Sequence, residues 1–428
     1  MLSKQDNLRL CLIGPGTPMG DVFRRYWNPV ALAEELPPPD GKPLRVQALG
    51  EALVAFRDTS GKVGLLAENC LHRGVSLALG RVENGGIRCL YHGWKFDVTG
   101  AVLEMPNLGD GRVQQRLKAI RYPVREAAGL LWVYMGPAHK EPPFPNWPFM
   151  SLPVDHLKVV RINAACNYMQ QLEGGTDTSH VGILHSNQAR PGWMAGEFTA
   201  NTDRENTAAL ASDDLAPTLY IAETEFGFHY AALRKMAPGP DQAERVNVRV
   251  VPIILPATRV IPSIDTQVVV FEVPMTDTRT ASITVAYRPD GKPFDSRKFD
   301  QLRGRDNPAM FNPQTHEYLG HWGNDFGQDR ATMAGDWSGI RGIHMEDMAM
   351  SVSSGPILDR STETLLPSDR ALVKARRQLL DSAQLVEEGK DPLGLHADFS
   401  KAVACDVTTG VDVDWQTLVP AGRQAEPA

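Results

Sequence analysis

This chain lacks any run approaching the roughly 18 consecutive apolar residues that a membrane-spanning helix requires. Its N-terminus carries a short apolar patch, Leu8 to Ile13, without the longer apolar core and small-residue cleavage pattern of a secretory signal. Cysteine is scarce: five in 428 residues, namely Cys11, Cys70, Cys89, Cys166 and Cys405. An odd, scattered set is no disulfide framework and points to free thiols or metal ligands in a reducing compartment. The expected location is the cytoplasm. An excess of positive charge is also missing. The 44 Lys and Arg against 51 Asp and Glu give a net charge of −7, which argues against nucleic acid or an anionic membrane as partner. No internal repeat, no low-complexity tract and no G-x-G-x-x-G after a strand signal is present, so no nicotinamide or flavin site is expected within the chain.

What is present is an ordinary globular composition, 42% hydrophobic and 22% charged, in a chain long enough for two or more cores. Gly14 to Gly20 (GPGTPMG) reads as a turn entering a helix, with Thr17 as cap and Pro18 at the first helical position. Val22, Phe23, Tyr26 and Trp27 would share one face of that helix. From Trp27 to about Pro137, short runs such as Leu53 to Phe56, Val63 to Leu66 and Leu130 to Tyr134 lie between turn-forming residues, which predicts an all-β unit. The proline-rich stretch 137–148 marks a boundary. Beyond it, Asn167 to His185 predicts a helix interrupted at Gly174 and Gly175, and Arg245 to Val273 predicts sheet. Ser368 to Glu388 predicts an amphipathic helix capped by Ser368. Leu372, Ala375, Leu379, Ala383 and Val386 lie on one face, and Gly389 and Pro392 end it. Residues 422–428 read as a loose tail. The expected fold class is α+β: an N-terminal helix (1–26) packing on the catalytic unit, an all-β domain (27–137), and a helix-flanked antiparallel-sheet catalytic domain (138–428).

Two constellations carry chemistry. The first is Cys70-x-His72, then sixteen residues, then Cys89-x-x-His92. Each half sits where strand signals give way to a turn, so two loop tips would together offer two thiolates and two imidazoles. Thiolates suit sulfide-bridged ferric iron, and neutral imidazoles on the second iron raise its reduction potential. The competing metal is structural zinc, whose sites more often pair a Cys-x-Cys half with a His-x-His half. Trp94 is either a shield for the centre or plain core.

The second constellation lies in NYMQQLEGGTDTSHVGILH, where Asp177-x-x-His180-x4-His185 appears. Two histidines and one distant carboxylate make a facial triad that leaves metal positions open for O2 and substrate. On a helix Asp177 and His180 would lie about 60° apart, but His180 and His185 about 140° apart. Sharing a metal would therefore need an irregularity between Val181 and Leu184, such as a π-bulge.

The motifs C-x-H-R-G and C-x-Y-H-G-W resemble the Rieske [2Fe–2S] site of ring-hydroxylating oxygenases. From GPGTPMG to SDRALVKARRQLLD the chain is similar to the phthalate dioxygenase branch of that family. The resemblance implies Cys70, His72, Cys89 and His92 as cluster ligands. It implies mononuclear Fe(II) held by His180, His185 and Asp347, with Glu346 and Asp359 as alternatives to Asp347. Asp177 would not ligate. It would contact His180 and reach the partner subunit's His92, in a homotrimer or two stacked trimers. Asn167, Gln170 and Glu173 match the family pattern on this helix. A separate NAD(P)H-dependent reductase, carrying flavin and its own [2Fe–2S] cluster, would supply electrons for O2-dependent hydroxylation of an aromatic carboxylate. O-demethylation or aryl-ether cleavage is the alternative chemistry. A Rieske electron carrier without turnover is the alternative of a different class. A substrate carboxylate calls for guanidinium, and Arg204 and Arg234, with Asn167, are the candidate substrate residues.

Overall fold

Two short helices, α1 (Lys4–Cys11) and α2 (Pro18–Arg24), open the chain. The structure, a computed structural model, describes residues 2–108, 113–185, 214–236, 243–263 and 266–420. Thr17 caps α2 by accepting from the Gly20 amide at 3.2 Å, with Pro18 inside the first turn. The helix stops at Arg24, earlier than its apolar face suggested, because Trp27 already pairs as strand with Tyr134. Both helices lie on the C-terminal half of the molecule. The Tyr168 hydroxyl donates to the Leu10 carbonyl at 2.8 Å, and Phe23 meets the Tyr168 ring edge-on at 4.8 Å.

Strands β1 (Trp27–Leu32), β2 (Leu44–Ala48), β3 (Glu51–Arg57), β4 (Val63–Ala67), β5 (Arg81–Glu83), β6 (Gly86–Arg88), β7 (Lys95–Phe96), β8 (Val102–Glu104), β9 (Val124–Ala127) and β10 (Leu130–Tyr134) follow. They form three antiparallel sheets, ordered β1-β10-β9, β2-β3-β4 and β5-β6-β7-β8. The last sheet and its loops carry their own apolar cluster, including Phe56, Ile87, Trp94 and Phe96 with Cys70 and Cys89. The first sheet instead shares the main core with the rest of the chain: Trp132 and Trp147 both pack edge-on against Phe271, at 5.4 and 5.2 Å.

The C-terminal half is built on a ten-stranded sheet. Its members are β11 (Lys158–Ala164), β12 (Thr218–Thr224), β13 (Gly227–Lys235), β14 (Arg245–Ile254), β15 (Thr258–Pro262), β16 (Gln267–Thr276), β17 (Arg279–Tyr287), β18 (Phe311–Asn312), β19 (Glu317–Tyr318) and β20 (Cys405–Gly410). Strands β12 to β17 are successive antiparallel neighbours, β11 adds beside β17, and β20 pairs with β14. The β-branched runs Val246–Val251 and Val268–Val273 lie in central strands and are buried on both faces.

Helices α3 (Tyr168–Thr176), α4 (Val181–Leu184), α5 (Ser296–Leu302), α6 (Ile343–Ser353) and α7 (Arg370–Glu387) surround the sheet. In α7, Ala375, Leu379 and Ala383 are buried and Gly389 follows at φ +76°, as the amphipathic pattern required. Its N-cap is Asp369 rather than Ser368. No helix among the described residues is long and apolar enough to cross a membrane.

The expected interruption of α3 at Gly174 and Gly175 does not occur. The helix runs through both glycines to Thr176. The reason for glycine is an approach from outside: a Cβ at Gly175 would lie 1.8 Å from Arg259 Nε. Arg259 in turn donates to buried Glu272 at 2.7 Å. This yields a sign test. Gly to Ala in a helix interior ordinarily stabilises by about 1 kcal/mol. Gly175→Ala is expected instead to destabilise by about 1–3 kcal/mol through overpacking, read by thermal or denaturant unfolding.

Candidate metal centres and the cavity between them and the sheet

The two cysteine–histidine loops have the same build. Cys70 N–H donates to Val75 O and Gly74 N–H to Cys70 O, both at 2.9 Å. In the second loop Cys89 N–H donates to Trp94 O at 2.8 Å and Gly93 N–H to Cys89 O at 3.0 Å. Gly74 and Gly93 close the loops at φ +69° and +74°, a conformation that favours glycine. The cysteines are buried and the histidines half-exposed. His72 Nδ1 and His92 Nδ1 face one another at 3.0 Å. Burial pushes the Cys70 thiol up to about 11, with Cys89 adding to the shift, so metal binding there must displace a proton. Trp94 is both core and shield: it is buried, its indole N–H donates to Asn107 at 2.8 Å, and its ring stacks on His72 at 4.9 Å and 4°. Two inward thiols beside two inward Nδ1 atoms fit a cluster with one thiolate-held and one imidazole-held iron.

The second constellation also converges, by a different route from the one expected. No irregularity falls between Val181 and Leu184, which are themselves one α-helical turn. The break lies upstream. Asp177 ends α3 in extended conformation (ψ 126°), and His180 and His185 flank the single turn of α4. His180 is itself in helical conformation (φ −64°, ψ −28°), and His185 closes the turn at φ −92°. The imidazole centroids lie 5.1 Å apart.

Helix α6 supplies the carboxylates. Asp347 Oδ1 is 3.6 Å from His180 Nε2 and 3.2 Å from His185 Nε2. One atom each from His180, His185 and Asp347 lies within 4.8 Å of the others. Each imidazole turns its other nitrogen to an acid: His180 Nδ1 to Asp177 Oδ2 at 3.5 Å, and His185 Nδ1 to Glu346 Oε2 at 2.7 Å. Glu346, considered above as an alternative ligand, therefore stands behind His185, and its Oε1 accepts from Ser338 Oγ at 2.5 Å. Asp359 is turned away, accepting from the Ser361 hydroxyl and amide. A carboxylate behind each histidine fixes its tautomer and leaves Nε2 for a metal. This donor set fits divalent iron with open positions.

The electrostatics suit a site for positive charge. Burial would raise the Asp347 carboxyl, but His185 and His180 hold it well below the usual carboxylate range. Burial opposes charge on His185, yet Asp347 and Glu346 on either side raise it to about 10. Asp177 is likewise held down by His180 and the Ser179 amide against its burial.

These residues open on a cavity of about 350 Å³ between α3, α6 and the sheet. Val251, Ile261, Val268, Val270 and Leu302 give it apolar walls, and Arg249, Arg259, Arg303 and His344 line it as well. Arg249 is paired with Asp406 at 2.9 Å and Arg259 with Glu272 at 2.7 Å. Two expected substrate residues lie elsewhere. Arg234 is buried behind the wall, its guanidinium donating to Thr178 O and Oγ1 at 2.9 and 3.0 Å. Asn167 caps α3 and donates to Cys11 O and Asp277 O. Arg204 lies outside the described residues. The cavity arginines sit on strands and at a helix end where alternation alone does not separate an inward arginine from a surface one. Glu173 is bound by Arg360 and Arg376 and ties α3 to α7, while Gln170 donates to Ser351 O and Gly355 O at the end of α6.

Metal binding at His185 needs its neutral imidazole. Below a pKa of about 10 the metal-free site holds that imidazole charged. Binding of Fe(II) at pH 7.5 is therefore expected to release about one proton from this site, falling towards zero above pH 10. Calorimetry in buffers of different ionisation enthalpy measures this; uptake with no release at pH 7.5 would contradict the assignment.

Comparison with known proteins agrees along the whole chain. Residues 26–120 match the Rieske [2Fe-2S] domain model, and residues 133–423 match the model described as LigXa C-terminal domain like. The phthalate 4,5-dioxygenase oxygenase subunit of Pseudomonas putida is 40% identical, with 97% of this chain and 94% of that protein covered. The 3-chlorobenzoate-3,4-dioxygenase oxygenase subunit of Comamonas testosteroni is 34% identical, with 97% and 98% covered. Among solved structures, dicamba monooxygenase bound to dicamba has a TM-score of 0.56 at 20% identity, covering 85% of this chain and 98% of that one. The terminal oxygenase of carbazole 1,9a-dioxygenase from Nocardioides aromaticivorans IC177 has a TM-score of 0.57 at 19% identity, with 86% and 97% covered. The cysteine–histidine loops thus belong to a Rieske [2Fe–2S] domain rather than a zinc module, and the chain belongs to the Rieske non-haem iron oxygenases, on the branch of the phthalate dioxygenase oxygenase subunits.

Proposed function

We propose that this chain is the oxygenase component of a multicomponent system that uses O2 to hydroxylate an aromatic carboxylate, by dihydroxylation of the ring. The observation that carries the reading is the convergence of His180, His185 and Asp347 on a largely apolar cavity with guanidinium groups on its wall. When bound, the cluster supplies electrons singly and the mononuclear iron supplies the site of O2 activation. The chain's own residues orient the two imidazoles through Asp177 and Glu346, hold an aromatic ring against Val251, Val268 and Val270, and exclude water from it. An electron carrier without turnover would have no use for such a cavity beside an intact ligand set.

No dinucleotide fingerprint is present in the sequence, so electrons come from a separate NAD(P)H-dependent reductase; we assign it a flavin and a ferredoxin-type cluster. We infer a homotrimer, with a stacked hexamer as its extension, in which Asp177 couples His180 to the partner subunit's His92. Leu71, Leu90 and Tyr91 support this, since all three are exposed beside His72 and His92, and apolar groups grouped in this way mark a contact surface. We place the protein in the cytoplasm, where Cys11, Cys166 and Cys405 would stay reduced. We divide the chain functionally into an electron-accepting unit at 27–137 and a catalytic unit at 138–428, on which residues 1–26 pack.

Turnover with phthalate, benzoate and methoxybenzoates, driven by a Rieske reductase and NADH, tests the reaction. A cis-dihydrodiol is the expected product; formaldehyde from a methoxybenzoate, without diol from any acid, would establish O-demethylation instead. Asp177→Asn is expected to retain both metal centres while turnover drops about 100-fold. Full activity in that variant would remove Asp177 from the electron path.

A further inference from the structure

The three cavity arginines differ in one respect. Arg249 and Arg259 each pair with a buried carboxylate, Asp406 and Glu272. Arg303 has no carboxylate within ion-pair distance among the described residues. Its guanidinium donates to the Phe299 carbonyl at 3.4 Å and lies over the Phe299 ring at 3.5 Å. Asp300, next along α5, is taken by Arg305 and Lys158. Arg303 is nonetheless buried. Burial, with Arg305 adding, presses its pKa down to about 9. Asp300 and Asp347 act on it only through space, without an ion pair. A guanidinium still keeps its proton at neutral pH, and a buried cation with no directly paired carboxylate gains from an arriving anion.

Its position is fixed by backbone contact. Gly304 and Gly342 both stand at positive φ, and a Cβ at Gly342 would lie 2.3 Å from Gly304 Cα. That contact clamps the end of α5 to the start of α6, the helix that carries His344 and Asp347. His344 lines the same cavity. The wall beside the iron ligands thus holds one cation without a carboxylate partner, with His344 near it.

We propose that Arg303, with His344 beside it, receives the carboxylate of the aromatic substrate, holding the ring in the cavity next to His180, His185 and Asp347. This assignment rests on the aromatic-carboxylate reading above. A planar fork facing a carboxylate gives direction as well as attraction, so Arg303 sets which edge of the ring approaches the metal.

The test is calorimetric binding to the anaerobic holoenzyme, with phthalate and benzoate against their methyl esters as probes. In Arg303→Gln the acids are expected to bind about 30-fold more weakly, while the esters change less than about 3-fold. Arg303→Lys should recover part of the loss for the acids. The esters also report whether the variant's cavity is intact. Unchanged affinity for the acids in Arg303→Gln, or equal loss for acids and esters, would overturn the assignment while leaving the substrate class standing. A wild-type enzyme that binds the esters but neither acid would overturn the substrate class and the role of Arg303 with it.

Discussion

The catalytic half depends on one electrostatic arrangement: two imidazoles held between acids. Asp347 faces both histidines from the cavity side, while Asp177 and Glu346 stand behind them. Negative charge so concentrated at a part-buried site is costly unless a cation is present. Asp347 and Glu346 raise the His185 pKa, so a metal held there would displace a proton. The same geometry explains the surrounding fold. Helix α6 must lie against α3 to bring Asp347 and Glu346 to the histidines, and the contact between Gln170 and the C-terminal end of α6 keeps it there.

The helix that bears these groups is itself constrained from both sides. On one side Glu173 is gripped by Arg360 and Arg376, which fixes α3 to α7 and, through Asn7, to α1. On the other, Gly175 admits Arg259 so closely that a Cβ there would force the arginine to shift. Asp177 then ends α3 and turns the chain so that His180 enters the cavity. The N-terminal helices, distant from the chemistry in sequence, thereby hold the element from which the ligands hang.

Much of this was legible in the sequence, for reasons that differ by residue. The two cysteine–histidine loops of the Rieske domain could be read because loop tips with fixed Cys–His spacing and a glycine four residues after each Cys are local features. The β-rich first half and the last long helix were legible from alternation and amphipathic spacing. The path through His180 and His185 was not. The expected bulge does not occur: His180 and His185 flank one α-helical turn and their imidazoles still converge, while α3 breaks upstream at Asp177, whose side chain accepts from the Ser179 amide. The role of Glu346 was hidden because adjacent acids on a helix differ only in direction, which packing decides. Arg234 and Asn167 are not among the residues lining the cavity; sequence alone does not show whether a buried polar side chain turns to a cavity or to neighbouring backbone.

The two centres also differ in how they meet solvent. The half-exposed His72 and His92 face outward among apolar groups, whereas His185 is buried. One centre stands near solvent, and the other opens on the cavity. The account therefore stands or falls on both centres being iron sites in the same chain. The most direct measurement is iron and acid-labile sulfide analysis of the purified protein beside His185→Ala. About three irons and about two sulfides per chain are expected, with about one iron lost and the visible cluster absorption unchanged in the variant. Zinc in place of iron, or loss of sulfide together with iron in His185→Ala, would contradict it.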